Sequence, residues 1–477
     1  MAVWFDVDDL IRFFQGATRP TGIQRFSFET CSAAANLAGL HGDVRFCRRD
    51  AKGLRAIHFP ALEAGIRAIA EAPRTPSRLE SRAAATLHPA LASMARGVAP
   101  QYRGPLVRMA RAGRAGLGAA KELAMLGLAS CRSGAGGAPR IGGHAFDLDS
   151  DPVRLGAGDW LINLGASWER PYGSAFLDGL ADAGASFALL AHDMIPDMFP
   201  EWCTGLMVRD FSAWLDDAVP RANVMCAVSH STARDLRACL ARRGHAIPPP
   251  LVLPTGSAKC HDAAALPPLL HEPYVLMVGT IEARKNHAGM LRVWRRLLAA
   301  HPPEAVPVLV FAGKTGWLTG DLMQQLENAG WLQGKIRFIN QPSDSTLASL
   351  YQHCLFTVFP SLYEGWGLPV SESLSFGKPV AASSHAAIRE AGGEFCVYFD
   401  PDNLDDAAGV IGGMIGDPAY VARLSARIAA HYLPPFWEDT AGALLACCGV
   451  APPMEAAFPE LSFSRSGNSL PARPYQG

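Results

Sequence analysis

Several things are scarce in this chain of 477 residues, and each scarcity excludes a class of function. Net charge of one sign is nearly absent, at −1, so total charge by itself says nothing about nucleic acid; no nucleic-acid partner is expected. Eleven cysteines are scattered without a CxxC pair, apart from the neighbours Cys447 and Cys448, which argues against a zinc site and against a disulfide framework. No run of 18 uninterrupted apolar residues suggests a membrane-spanning helix, and MAVWFDVDDL carries acid where a signal peptide needs base. A cytoplasmic protein with reduced, mostly buried thiols is therefore expected. GxxxxGK[ST] is missing and GxGxxG never follows a strand, so neither a P-loop nor a dinucleotide fingerprint is present. DVDD at 6–9 reads as a helix entrance and no other Asp-x-Asp pair is well placed, so neither a metal nor a cofactor is expected.

What is present is an alternation of short apolar strands with helix-like segments, the pattern of parallel α/β layers. The first half supplies VWFDV (3–7), WLINL (160–164), FALLA (187–191) and NVMCAV (223–228); Ser229-His230-Ser231 then reads as a helix cap. The second half supplies YVLMVGT (274–280), VPVLVFAG (306–313), KIRFIN (335–340), LFTVF (355–359), PVAAS (379–383) and CVYF (396–399). These strands are Val-rich without strict alternation, as when helices cover both faces of a sheet. The length suits two domains, expected at 1–265 and 266–451, with a tail at 452–477 whose composition suits a disordered or docking end. Residues 61–140 interrupt the rhythm. Between Lys52 and Arg140 lie 14 basic residues against four acidic ones, and the segment 105–129 reads as a basic helix. Such an insertion is either a solvated surface element or a peripheral membrane contact at the inner face of the membrane.

The densest chemistry is FPSLYEGWGLPVSESLSFGKP, residues 359–379. A strand runs into a turn holding Glu364, Gly365, Trp366 and Gly367, and a helix follows with Pro369 in its first turn, where a missing N–H costs nothing. Small glycines let backbone amides approach an anion, and the helix N-terminus adds partial positive charge. Glu372 lies eight positions beyond Glu364. In VGTIEARKNH (278–287), Arg284 and Lys285 follow a strand and Gly279 just before another helix, two cations suited to a leaving diphosphate. Read singly, the glutamates are surface charges and the glycines turn formers; their crowding into two strand–turn–helix junctions favours a site.

The stretch EGWGLPVSE resembles the glutamate–seven–glutamate motif of the retaining glycosyltransferases of family four, which have GT-B architecture. VGTIEARKN, SLY, FGKPVAAS and YFDP resemble the same family's second domain in the expected order. HDMIP (192–196) and TGIQR (21–25) are similar to its first domain, especially in members that assemble bacterial surface polysaccharides. SSHAAIREAGGE (383–394) matches the family only loosely and is assigned no role. The resemblance implies an α/β fold of two Rossmann-like domains facing each other across a cleft. It implies that Glu364 contacts hydroxyls of the donor sugar, Glu372 the ribose, and the amides of Gly365, Trp366, Gly367 and Leu368 the diphosphate. Arg284 and Lys285 would balance its charge, Ile339 and Asn340 flank the base, and His192 lie near the reacting sugar carbon. Read from the residue alone, His192 is a strand cap or a hydrogen-bonding imidazole titrating near neutrality.

The function expected is that of a retaining hexosyltransferase in polysaccharide biosynthesis, with GDP-mannose placed ahead of UDP-sugars as donor. The acceptor would be a glycan or a lipid-linked oligosaccharide. The alternatives are a UDP-sugar-dependent transferase of the same fold and a noncatalytic nucleotide- or glycan-binding subunit of an assembly complex; a phosphorylase would need a lysine attachment motif that is not apparent. In RPTGIQR (19–25), Thr21 and Gly22 open a helix expected to face the donor diphosphate across the cleft, Gly22 permitting close approach. Arg25 either reaches phosphate or braces the helix.

Overall fold

The computed structural model describes residues 1–17, 19–38, 43–51, 53–71, 140–141, 144–145, 151–257, 266–385 and 387–451. The second-half strands all pair in parallel, in the order Ile336–Asn340, Val308–Gly313, Tyr274–Val278, Thr357–Phe359, Val380–Ser383, Cys396–Phe399. By chain position that order is 3-2-1-4-5-6, the doubly wound arrangement, whose crossovers reverse between the first and fourth strands. The loops that leave those two strands are Gly279–Lys285 and Ser361–Gly367, so strand order alone brings the two motifs together.

The first-half sheet runs Leu251–Val252, Val224–Ala227, Ser186–Ala191, Trp160–Asn163, Ala2–Asp6, Asp43–Asp50, Gly53–Ile57, Pro152–Val153. Its reversal lies between Ala2–Asp6 and Trp160–Asn163, which places residues 7–21 and 164–170 at its mouth. The two Rossmann-like domains of the GT-B arrangement are both present. Thr21 precedes helix Gly22–Leu37 but its hydroxyl turns to the Gln24 side chain and caps no backbone N–H, whereas helix His230–Arg242 is capped by Ser229, whose hydroxyl accepts from the Thr232 N–H at 2.9 Å. Pro369 sits in the first turn of helix Leu368–Ser375, entered through Gly367 at φ 120°, a conformation that favours glycine.

Two features depart from the sequence reading. No strand is expected between residues 8 and 159, yet Asp43–Asp50 and Gly53–Ile57 pair as an antiparallel hairpin beside Ala2–Asp6. DVRFCRRD is too rich in arginine to read as a buried strand. Tertiary contacts absorb its charge: Arg49 packs 3.9 Å over the Tyr172 ring and its Nε lies 3.0 Å from Asp6 Oδ2. The second departure concerns helix Trp437–Cys447, expected in the second domain. Trp437, Ala441, Leu444 and Leu445 instead join the core of the first, against Phe26, Ala33 and Ala34 of helix Gly22–Leu37. Phe26 meets Trp437 edge-on at 5.3 Å, and Thr440 Oγ1 donates to the Pro254 carbonyl at 2.6 Å. Of the stretch 61–140, residues up to 71 belong to helix Phe59–Glu71, whose Phe59, Leu62 and Ile66 enter the same core. The expected basic helix at 105–129 and the tail at 452–477 lie outside the described residues. Among the described residues, no helix is long and apolar enough to cross a membrane.

Candidate active site

Glu364 occupies the turn between strand Thr357–Phe359 and helix Leu368–Ser375, buried at 7% exposure. Both its oxygens are engaged. Arg284 Nη1 lies 2.7 Å from Oε2, and Lys285 Nζ lies 2.5 Å from Oε1. Arg284 also meets Glu282 Oε1 at 2.7 Å through Nη2, and its carbonyl accepts the Leu362 N–H at 2.8 Å, tying the two junction loops together. Burial alone would raise the Glu364 carboxyl, but Arg284 and Lys285 pull it down to about 2. Burial and the neighbouring Arg284 push the Lys285 ammonium below its ordinary value. The two cations and Glu364 thus form one unit, with Glu282 on its rim.

Glu372 lies one helix turn deeper, also buried, and Tyr351 Oη donates to its Oε2 at 2.9 Å. Ile339 and Asn340 end strand Ile336–Asn340 in register with Ala312 and Gly313, at the same C-terminal edge of the sheet. Trp366 Nε1 donates to Ser371 Oγ at 3.1 Å and its ring packs against both domains' cores. All the second-domain residues expected at the site therefore lie along one sheet edge.

His192 approaches from the first domain. It follows strand Ser186–Ala191, is buried, and its Nε2 lies 2.7 Å from the Leu164 carbonyl. A carbonyl only accepts, so Nε2 carries the proton. Burial lowers this imidazole to about 4 despite that bond, which makes it neutral near pH 7 with Nδ1 as acceptor. The titration near neutrality read from the residue type is corrected by burial. A Cβ on Gly365 would lie 1.7 Å from the His192 carbonyl oxygen, so the two domains touch backbone to backbone here. Thr232 Oγ1 bridges them, 3.4 Å from the His192 carbonyl and 3.3 Å from that of Gly365. A Cβ on Gly22 would meet only Leu368 Cδ1 among the described protein atoms, at 4.0 Å, an ordinary contact. Close packing at this junction is demanded of Gly365, and Gly22 stands across from the start of the Leu368 helix.

Other cross-domain contacts come from residues to which sequence reasoning gave no partner in the other domain. Glu390 accepts from the His230 N–H and the Ser231 N–H, both at 2.8 Å, and from Ser231 Oγ. It caps a first-domain helix with a second-domain carboxylate, a favourable pairing of anion and helix N-terminus. Its own stretch gave no signal, since it matches the family loosely. Tyr363 donates to Asp235, and Trp317 Nε1 donates to the Trp202 carbonyl at 2.8 Å. Arg25 reaches Asp344 and Glu372. Among the described residues, His385, Asp400 and Asp402 bring one ligand atom each within 4.8 Å; both aspartates are exposed, and no metal role is assigned to them.

Residues 263–429 match the family model of the glycosyl transferases group 1. Serotype-specific mannosyltransferase WbdA of Escherichia coli is 30% identical over 247 residues, which is 49% of this chain and 30% of that protein. O-antigen chain mannosyltransferase B of Escherichia coli is 32% identical over 187 residues, 39% of this chain and 48% of that protein. D-inositol 3-phosphate glycosyltransferase of Rhodococcus opacus (strain B4) is 28% identical over 178 residues, 36% of this chain and 40% of that protein. The matches thus span about half or less of these relatives' own length.

Proposed function

From the premise that residues 263–429 form a glycosyl transferases group 1 domain related to O-antigen mannosyltransferases, we propose a retaining transfer of mannose from GDP-mannose. The acceptor is a glycan or a lipid-linked oligosaccharide of a bacterial surface polysaccharide. The observation that carries this reading is the Arg284–Glu364–Lys285 unit beside the start of helix Leu368–Ser375, at the switch point of a doubly wound sheet. There the amides from Gly365 to Leu368 and the two cations receive the diphosphate, whose negative charge grows as its bond to the sugar carbon breaks.

Retention is supported by the state of Glu364. A carboxylate with both oxygens in ion pairs, held down to about 2, is a poor nucleophile and a poor base. The chemistry therefore favours attack on the face the leaving group vacates. The acceptor hydroxyl forms the new C–O bond, the bond from sugar carbon to phosphate oxygen breaks, and the hydroxyl proton passes to that phosphate. Glu364 remains an acceptor for donor-sugar hydroxyls through its unused lone pairs and fixes the two cations. Neutral His192 accepts a sugar hydroxyl at Nδ1 and takes no proton. Contact of Gly365 with His192 closes the cleft over the donor and excludes water.

The test is a panel of GDP-mannose, UDP-glucose, UDP-N-acetylglucosamine and ADP-glucose, followed by nucleotide release with a lipid-linked oligosaccharide acceptor present. GDP-mannose is expected to turn over and to give an α-linked product by NMR. Turnover of a UDP-sugar alone would replace the donor, a β-linked product would overturn retention, and binding of no donor would remove the enzyme reading.

A further inference from the structure

Arg25 has no role in the transfer described above. Its backbone lies in the first turn of helix Gly22–Leu37 in the first domain, while its guanidinium ends in the second. Nη2 donates to Asp344 Oδ1 at 2.9 Å, and Nη1 lies 3.8 Å from Glu372 Oε1. Tyr351 holds the other oxygen of Glu372, at 2.9 Å. Two cavities of about 240 and 370 Å³ open at this end of the cleft, and Arg25 lines both. Glu372 and Leu368 wall the smaller, Ser343 and Asp344 the larger.

We propose that Arg25 is a positioning residue for the nucleoside half of the donor, which holds the Glu372 carboxylate for the ribose only when the two domains are closed. The inference rests on the nucleotide-sugar reading. Three observations carry it. At 3.8 Å the Arg25–Glu372 contact is an ion pair without a hydrogen bond, so Oε1 keeps its lone pairs for ribose hydroxyls while Tyr351 occupies Oε2. The guanidinium is already divided between two carboxylates, which disfavours a phosphate ligand. Its partners lie 319 and 347 positions away in the other domain, so opening the cleft by a few ångströms breaks both contacts. Glu372 then keeps the like charge of Asp344 without the cation. Burial pushes the Glu372 carboxyl up, Arg25 and the Tyr351 hydroxyl oppose that rise, and Asp344 adds to it. An open cleft thus offers the ribose a weaker acceptor than a closed one.

Calorimetric titration of the full chain with GDP, UDP and inorganic pyrophosphate tests this in the wild type, Arg25→Ala, Arg25→Lys, Glu372→Gln and Arg25→Ala/Glu372→Gln. Arg25→Ala is expected to weaken whichever nucleoside diphosphate the wild type binds by about tenfold, to leave pyrophosphate unchanged, and to add nothing on the Glu372→Gln background. Arg25→Lys, which keeps the charge but not the fork, restores part of the loss and carries the comparison if the alanine variant does not fold. Equal weakening of pyrophosphate would make Arg25 a phosphate ligand and overturn the proposal, as would additive effects of the two substitutions. A wild type that binds GDP or UDP while Arg25→Ala binds it equally well sinks the inference alone; a wild type that binds pyrophosphate but neither nucleotide sinks the nucleotide-sugar reading and the inference with it.

Discussion

Replacing Gly365 by alanine separates domain closure from domain stability. Its φ lies outside the left-handed region, so alanine fits the local backbone without strain. The obstacle is the other domain. The new Cβ would stand 1.7 Å from the His192 carbonyl oxygen, 2.8 Å from its carbon and 3.1 Å from Asp193 Cβ. Ordinary contact begins at about 3.4 Å, so the domains must part by roughly 1.7 Å at this point. A displacement of that size at a reacting centre costs on the order of a hundredfold in rate. The variant is expected to lose about that much kcat for nucleotide release in the presence of acceptor. Its thermal midpoint and its affinity for donor should change little, because parting of the domains relieves the clash and the backbone amides survive. Solution scattering should report a larger radius of gyration in the presence of donor. Gly22→Ala is the control for the domain contact, since its methyl group meets Leu368 at 4.0 Å and the scattering profile should be kept. A Gly365→Ala enzyme with wild-type kcat and an unchanged scattering profile would refute the reading of this contact as the closed state.

Two further outcomes follow from the ion pairs and the core. The Glu364 carboxyl falls from an ordinary 4.5 to about 2 on folding, so its stabilisation is full above pH 4.5 and is lost as pH drops towards 2. The shift corresponds to about 3 kcal/mol, and Glu364→Gln should remove that acid-side slope while costing about 3–5 kcal/mol at neutral pH, because Arg284 and Lys285 stay buried without it. Urea unfolding between pH 3 and 7 measures both, and an unchanged slope would exclude the charge network. Trp437→Ala should destabilise the first domain by about 3–5 kcal/mol, although residue 437 follows the whole second sheet in the chain. Hydrogen exchange resolves it: loss of protection confined to the second domain would contradict the packing seen.

Much of this protein is determined by local sequence. Val-rich strands, the Ser229 cap, Pro369 in a first turn and Gly367 at positive φ are short-range consequences of side-chain shape and backbone freedom, and each is found where the residues demand it. The candidate residues were legible for the same reason: Glu364, Glu372, Arg284 and Lys285 sit within two junctions whose local form is set by a few neighbours. Strand order was beyond local reading, because it depends on which crossover packs against which face, and that order makes Arg284 and Lys285 the partners of Glu364 across 80 and 79 positions. Burial was equally invisible, and it turns His192 from a group titrating near neutrality into a neutral acceptor. The arginine-rich strand Asp43–Asp50 could be recognised only once Tyr172 and Asp6 were in place to receive Arg49. The crossing of helix Trp437–Cys447 to the first domain likewise followed from where an uncovered apolar face remained, which no window of sequence contains.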